Sequence, residues 1–308
     1  MSEKKTVRLI APATTANVGP GYDIFAMAME QPADEFTLSL NDSGKINISI
    51  EGEHQNIPLN PEDNTAGLAL MEFCKRKNLS CGFDLTIHKR MPSGGGLGTT
   101  GASASAAIVG ADHLLGLSMG PNELIDIARM GEVASGGSPH ADNVAAAILG
   151  GFVLVKSYHP IDVLRLCIPA FPIVLGVIRK SQRTTRGFIT YEIGQEKLKE
   201  QMARCARVIH AIHSQDIEEF GKAITVDHIA EPVRGAAIPG YPEIKQKVLD
   251  AGAYGFNISG GGSSVFAVCP PEKQESIALL MEAGFAGNPH FVKVIRTHTS
   301  NQGVKVVG

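Results

Sequence analysis

Five glycines fall within the eight positions from Gly94 to Gly101, in the run Pro92-Ser93-Gly94-Gly95-Gly96-Leu97-Gly98-Thr99-Thr100-Gly101-Ala102. So much unconstrained backbone is costly in entropy, more than a plain strand-to-helix turn calls for, although such a turn remains the alternative reading. A loop whose amides close around an anion does call for it. The N–H groups and the dipole at a helix start both favour negative charge. Phosphate is the anion this suits, and the Thr99 and Thr100 hydroxyls could reach a phosphate oxygen or Mg²⁺.

The surroundings narrow the choice of phosphate loop. Gly96-Leu97-Gly98-Thr99-Thr100-Gly101 matches G-x-G-x-x-G, but a dinucleotide site needs an acidic residue at a strand end roughly 20 residues on. Here that region, Gly116 to Glu123, reads as a turn into a helix. A Walker A loop needs a lysine, and none occurs between Met91 and His113. A protein kinase would carry H-R-D and D-F-G, and both are absent.

Other residues could do chemistry beside such a loop. On a helix expected over Asn122–Ala134, Glu132 falls on the apolar side, between Ala128 and Ile125, with Glu123, Asp126 and Arg129 on the opposite arc. An inward carboxylate needs a cation. Either it ends the helix in a salt bridge, or it meets Mg²⁺, which takes one or two carboxylates plus phosphate oxygens. A polar knot follows, Ser138-Pro139-His140-Ala141-Asp142-Asn143. Asp142 and Asn143 either hydrogen-bond a substrate hydroxyl or cap the next helix, and His140 could donate to a carboxylate. Arg179, Lys180, Arg183 and Arg186 crowd one loop. It is either a solvated basic loop or, through Arg186 with Arg234, a bidentate clamp on a carboxylate. A second glycine loop, Asn257 to Val265, is a tight hairpin or the opposite wall of the site.

Elements that could position these groups follow from periodicity. Strands are expected at Val7–Ala11, Gly82–His88, Gly151–Lys156, Ile173–Ile178, Tyr254–Ser259, Ser264–Cys269 and His290–Arg296. Glu35–Leu40 and Lys45–Ile50 read as a hairpin around Asn-Asp-Ser-Gly, and Pro12–Asp23 as turn-rich. Helices are expected at Asp63–Lys77, from the loop to about Leu115, and at Asn122–Ala134, Gln195–His213, Asp216–Ile224, Pro242–Ala251 and Glu272–Ala283. With 308 residues, two α+β domains are expected, 1–164 and 165–308.

Composition sets outer bounds. A net charge of -3 leaves no basic footprint for nucleic acid. No apolar run approaches the roughly 20 residues of a membrane span. Five cysteines, odd in number and without a C-x-x-C pair, fit reduced thiols in a cytoplasm.

Three segments in this order resemble the GHMP small-molecule kinases, which include galactokinase, homoserine kinase, mevalonate kinase and phosphomevalonate kinase. They are Ala11–Asp23, with Asn17 and Gly21-Tyr22-Asp23; the loop Pro92–Ala102; and Asn257–Phe266. Within the family the resemblance is closest to the homoserine kinase branch and runs over nearly the whole chain. Ser138–Asn143 and Ile229-Ala-Glu-Pro-Val-Arg234 carry that preference. A mevalonate kinase would lack His140 and Arg234 and place a lysine in the first segment, and a galactokinase would begin with an Arg-Gly-Glu motif. The resemblance implies a ribosomal-protein-S5-like N-terminal domain, a ferredoxin-like C-terminal domain, and ATP-dependent, Mg²⁺-dependent phosphorylation of L-homoserine. It implies that Asn17, Asp23, His140, Asp142, Asn143, Arg186 and Arg234 face homoserine, with Asp142 and Asn143 nearest the chemistry. Thr99 and Glu132 would hold Mg²⁺, and Pro92–Ala102 the triphosphate. A homodimer is left open. The sequence departs from the common pattern at Thr99-Thr100, where Ser-Ser is usual, and Arg186 sits in a loosely matched loop. The rival readings are another kinase of the family and, from a different class, a non-catalytic ligand sensor on the same fold.

Overall fold

The computed structural model describes residues 5–52, 57–180 and 192–307. Two sheets organise the chain. The first takes strands β1 (Thr6–Ala16), β2 (Phe25–Asn41), β3 (Ile46–Gly52) and β4 (Gly82–Lys89), then β5 (Phe152–Tyr158), β6 (Ile161–Leu166) and the C-terminal β11 (Lys305–Val306), in the order β11-β1-β2-β4-β3, with β5 on β2 and β6 on β5. Its helices are α1 (Thr65–Lys77), α2 (Thr99–Leu115), α3 (Pro121–Ala128), the short α4 (Val133–Gly136) and α5 (Asp142–Leu149).

The second sheet holds β7 (Pro172–Ile178), β8 (Gly255–Ile258), β9 (Val265–Val268) and β10 (Phe291–His298), in the order β10-β7-β9-β8. All its pairs are antiparallel. Helices α6 (Gln195–Ser214), α7 (Ile217–Ile224), α8 (Glu231–Ala236) and α9 (Tyr241–Asp250) lie between β7 and β8, and α10 (Gln274–Phe285) lies between β9 and β10. Four strands in the spatial order fourth-first-third-second, with helical crossovers in the first and last connections, make the split β-α-β of a ferredoxin-like domain. The chain leaves the first sheet after Leu166 and returns to it through β11, which pairs Leu9 with Val306.

β7 shows how the two units share a core. It is buried along its whole length. Ile173, Leu175 and Val177 point into the large apolar cluster that also takes Phe25, Phe36 and Phe220, whereas Val174 and Ile178 join the cluster beneath α9 and α10. A strand buried on both faces reads as a continuous apolar run, which is why it was legible.

Two of the expectations that fail concern strand pairing and helix continuity. Glu35–Leu40 and Lys45–Ile50 do not form a hairpin, because β4 inserts between them, antiparallel to β2 and parallel to β3. Every other residue of β4 is buried, starting from Gly82-Phe83, while β3 is largely open, so β4 takes the central place and β3 the edge. The helix expected over Asn122–Ala134 breaks after Ala128. Arg129–Glu132 form a 3₁₀ turn and α4 restarts beyond it. Arg129 is buried rather than on the solvent arc, its guanidinium taken up by Asp126 and the Pro139 carbonyl.

Candidate active site

The glycine loop joins β4 to α2 and is anchored on both sides. At its start, Asp34 and Lys89 form a buried ion pair, and Asp34 Oδ1 accepts from the amides of Arg90 (2.7 Å) and Met91 (2.8 Å). Further on, the Ser264 amide donates to the Gly95 carbonyl (3.0 Å), Ser259 Oγ to the Gly96 carbonyl (2.8 Å) and the Thr14 amide to the Leu97 carbonyl (3.1 Å). Two glycines are obligatory in this geometry. Gly96 has φ 83°, and a Cβ there would lie 2.3 Å from the Ser259 carbonyl oxygen. Gly98 has φ 63°, and its Cβ would lie 1.9 Å from Thr14 Oγ1. With its carbonyls thus engaged, the loop is free to turn its amides elsewhere.

They border a cavity. Ser93, Gly94, Gly96, Gly98, Thr99 and Thr100 line it, while Pro92, Gly95, Leu97, Gly101 and Ala102 pack into the protein behind them. Ala102 is the first residue of α2 whose amide bonds within the helix, to Gly98 at 2.8 Å, so the preceding amides of the first turn remain for a ligand. Glu132, buried on its 3₁₀ turn, lines the same cavity, as do Ser103, Lys89, Lys180 and Gly261 of the second glycine loop. That second loop is therefore both wall and brace. Arg129 fixes the turn that carries Glu132, through Asp126 (2.6 Å) and the Pro139 carbonyl (3.3 Å).

Asn143 marks where a second half-site begins. It lines the cavity, and its Oδ1 accepts from Thr14 Oγ1 at 2.8 Å, close beside Gly98. Its neighbour Asp142, at the first turn of α5, is almost fully buried and accepts from the Asn143 amide at 2.7 Å. Asn17, in a left-handed conformation (φ 67°), accepts from the Asp23 amide (3.1 Å) and donates to the Gly260 carbonyl (3.1 Å). Arg234 on α8 donates to that same carbonyl at 2.7 Å and lies 5.6 Å from the Tyr22 ring centroid. His140 Nδ1 is 3.7 Å from Asp23 Oδ1. Asn17, Asp23, His140, Asp142, Asn143 and Arg234 are thereby brought together from three separate stretches of chain. Arg186, with Arg183, lies outside the described residues, and Arg179 is exposed.

Sequence reasoning missed two contributors here. Thr14 sits in a segment read as turn but built as the end of β1. Tyr158, at the end of β5, donates its hydroxyl to the Asp23 carbonyl at 2.8 Å. Burial, reinforced by the nearby Asp142 carboxylate, pushes that hydroxyl well above the usual tyrosine range, so it stays protonated as a donor. A lone tyrosine near a strand end leaves no local signal.

A phosphate cradle next to a carboxylate of this kind is what a small-molecule kinase needs. Profiles of the GHMP kinases N terminal domain and the GHMP kinases C terminal domain match residues 64–151 and 208–286. A homoserine kinase of Methanococcus vannielii is 37% identical over 275 residues, covering 89% of this chain and 90% of its own. The chain belongs to the GHMP kinase family. This GHMP kinase is also 34% identical to the homoserine kinase of Chlorobaculum tepidum, with 91% of each chain covered. A crystal structure of homoserine kinase from Cytophaga hutchinsonii superposes with a TM-score of 0.90 at 34% identity, over 100% of this chain and 99% of that one. Members of the family use ATP.

Proposed function

We propose that the protein is a homoserine kinase, transferring the γ-phosphoryl group of ATP to the side-chain hydroxyl of L-homoserine to give O-phospho-L-homoserine, a step towards threonine. The observation that carries this reading is the junction at Asp142-Asn143 between a phosphate cradle and a half-site bearing both signs of charge. An amino acid with a hydroxyl presents what such a half-site recognises: a carboxylate for Arg234 and His140, an ammonium for Asp23, and an alcohol for Asp142. The names of the relatives point the same way.

The loop Pro92–Ala102 would bind the triphosphate through its amides, which absorb charge on the β- and γ-phosphates as the bond to the leaving oxygen lengthens. Among the described residues no group of three or more His, Cys, Asp or Glu side chains converges into a metal cage. One buried carboxylate, Glu132, and the Thr99 hydroxyl, which line the same cavity, instead fit Mg²⁺, which binds proteins through one or two oxygens and completes its shell with phosphate and water. When bound there, Mg²⁺ would neutralise phosphate charge. Asp142 would accept a hydrogen bond from the homoserine hydroxyl and aim its oxygen at the γ-phosphorus. An alcohol is too weak an acid to be deprotonated in advance by a carboxylate, so orientation is the main part played by Asp142. Asn143, held by Thr14, would keep that oxygen in line with the loop. We place the protein in the cytoplasm. Its five cysteines are free thiols, which suits a reducing compartment, and no helix among the described residues is long and apolar enough to cross a membrane.

Incubation with Mg-ATP and L-homoserine tests this directly by ³¹P NMR. A phosphomonoester resonance coupled to the homoserine γ-methylene is the expected product. Its absence, with ADP formed only at the rate of water attack, would overturn the reading.

A further inference from the structure

Behind the charged half-site lies a buried polar cluster built around Gln201 and Asp227. Gln201, on α6, is 3% exposed, and Asp227, in the turn before α8, is 5% exposed. Both protons of Gln201 Nε2 are used: one goes to the Pro20 carbonyl (2.8 Å) and the other to Asp227 Oδ1 (2.8 Å). Gln201 Oε1 accepts from the His228 amide at 2.8 Å. Asp227 in turn accepts from the amides of Ile229 (2.9 Å), Ala230 (3.1 Å) and Glu231 (3.0 Å), closing the start of α8, and Glu231 Oε2 accepts from the Asp227 amide at 3.1 Å. Every polar atom of the pair is matched to a complementary group, so neither side chain can move or change chemistry without leaving a buried group unsatisfied.

The cluster joins two things that both belong to the acceptor half-site. Pro20 lies in the turn that presents Tyr22 and Asp23. Asp227 holds the helix on which Arg234 stands, one turn in from the cap. Arg234 and Tyr22 already face each other across this seam. The phosphate loop, by contrast, is anchored through Asp34, Ser259, Ser264 and Thr14, none of which touches Gln201 or Asp227.

We infer that Gln201 and Asp227 are positioning residues that set the spacing between Arg234 and the Tyr22-Asp23 turn, and so fix which acceptor fits, without acting on ATP. This rests on the homoserine kinase reading for the identity of the acceptor. Gln201→Glu removes both donors and sets a carboxylate against Asp227 and the Pro20 carbonyl. Gln201→Met keeps the length and removes the hydrogen bonds without adding repulsion.

The test is a pair of KM values measured for each variant by ADP release, with folding checked by circular dichroism. Gln201→Met should raise the homoserine KM by about tenfold, the effect of losing one or two buried hydrogen bonds. Gln201→Glu and Asp227→Asn should raise it further, and the KM for Mg-ATP should stay within about twofold throughout. If Gln201→Glu or Asp227→Asn does not fold, Gln201→Met decides alone. An unchanged homoserine KM in Gln201→Met, or an equal rise in both KM values, overturns the inference. A wild type that phosphorylates a different hydroxy compound would overturn the homoserine reading instead, and the same split measured on that acceptor would still judge Gln201 and Asp227.

Discussion

At the scale of single residues, the site depends on a few atoms whose replacement has separable effects. Glu132→Gln keeps shape and burial but removes the negative charge facing the phosphate cavity. Turnover should fall by about 100-fold or more, as expected if its charge helps to balance the phosphates in the transition state. Gly98→Ala acts through geometry. Its Cβ would meet Thr14 Oγ1 at 1.9 Å, and the left-handed backbone penalises any side chain. Both nucleotide affinity and stability should therefore drop, which isothermal titration with ADP and thermal unfolding would register together. Tyr158→Phe removes one hydroxyl from the Asp23 carbonyl and leaves the ring packed. The expected result is a homoserine KM raised by roughly 2- to 10-fold with the ATP KM unchanged, as for loss of one hydrogen bond.

At the scale of elements, ion pairs hold the supports in place. The buried Lys89–Asp34 pair sets the start of the phosphate loop. Lys89→Met strands a buried carboxylate, and a loss of about 3–5 kcal/mol is expected in urea unfolding. Asp126 ties α1 to the turn bearing Glu132. Burial raises its carboxyl, but hydrogen bonds from Arg76 and Arg129 outweigh this and hold it below the usual range. A depressed carboxylate contributes stability above its unfolded value, about pH 4, and loses it as pH falls through the folded value. The stability gap between wild type and Asp126→Asn should therefore be full at pH 7 and shrink towards pH 3. The elements were unevenly legible. Helices α6, α7 and α9 and strands β7, β8 and β9 lie within a residue or two of where periodicity placed them, because each has a single strong pattern and clear Gly, Pro or Asp boundaries. The β2–β3 hairpin was misread because a turn signal says that the chain reverses, not that the two strands pair, and β4 comes from 30 residues further on. Glu132 was recognised as inward from helical spacing, yet it reaches the cavity from a 3₁₀ turn. Asp227 followed by Glu231-Pro232 was a readable helix start that went unused, whereas Gln201 and Tyr158 act across more than 100 residues of sequence and left no local trace.

At the scale of the whole molecule, the two sheets share one apolar cluster, and the second glycine loop reaches across to the first. Ligands held by both units should therefore reinforce one another. Saturation with ADP and homoserine together should raise the unfolding temperature by more than either alone, each contributing about 2.7 kcal/mol at 100 times its Kd. In the proposed reading the glycine loop would account for kinase chemistry, while Asn17, His140, Arg234 and the parts behind them would choose the acceptor. The most direct measurement is therefore an ADP-release assay with Mg-ATP across L-homoserine, mevalonate, galactose and shikimate. Turnover with homoserine and only background release with the other three is the expected result. Turnover with any of those three and none with homoserine would contradict it.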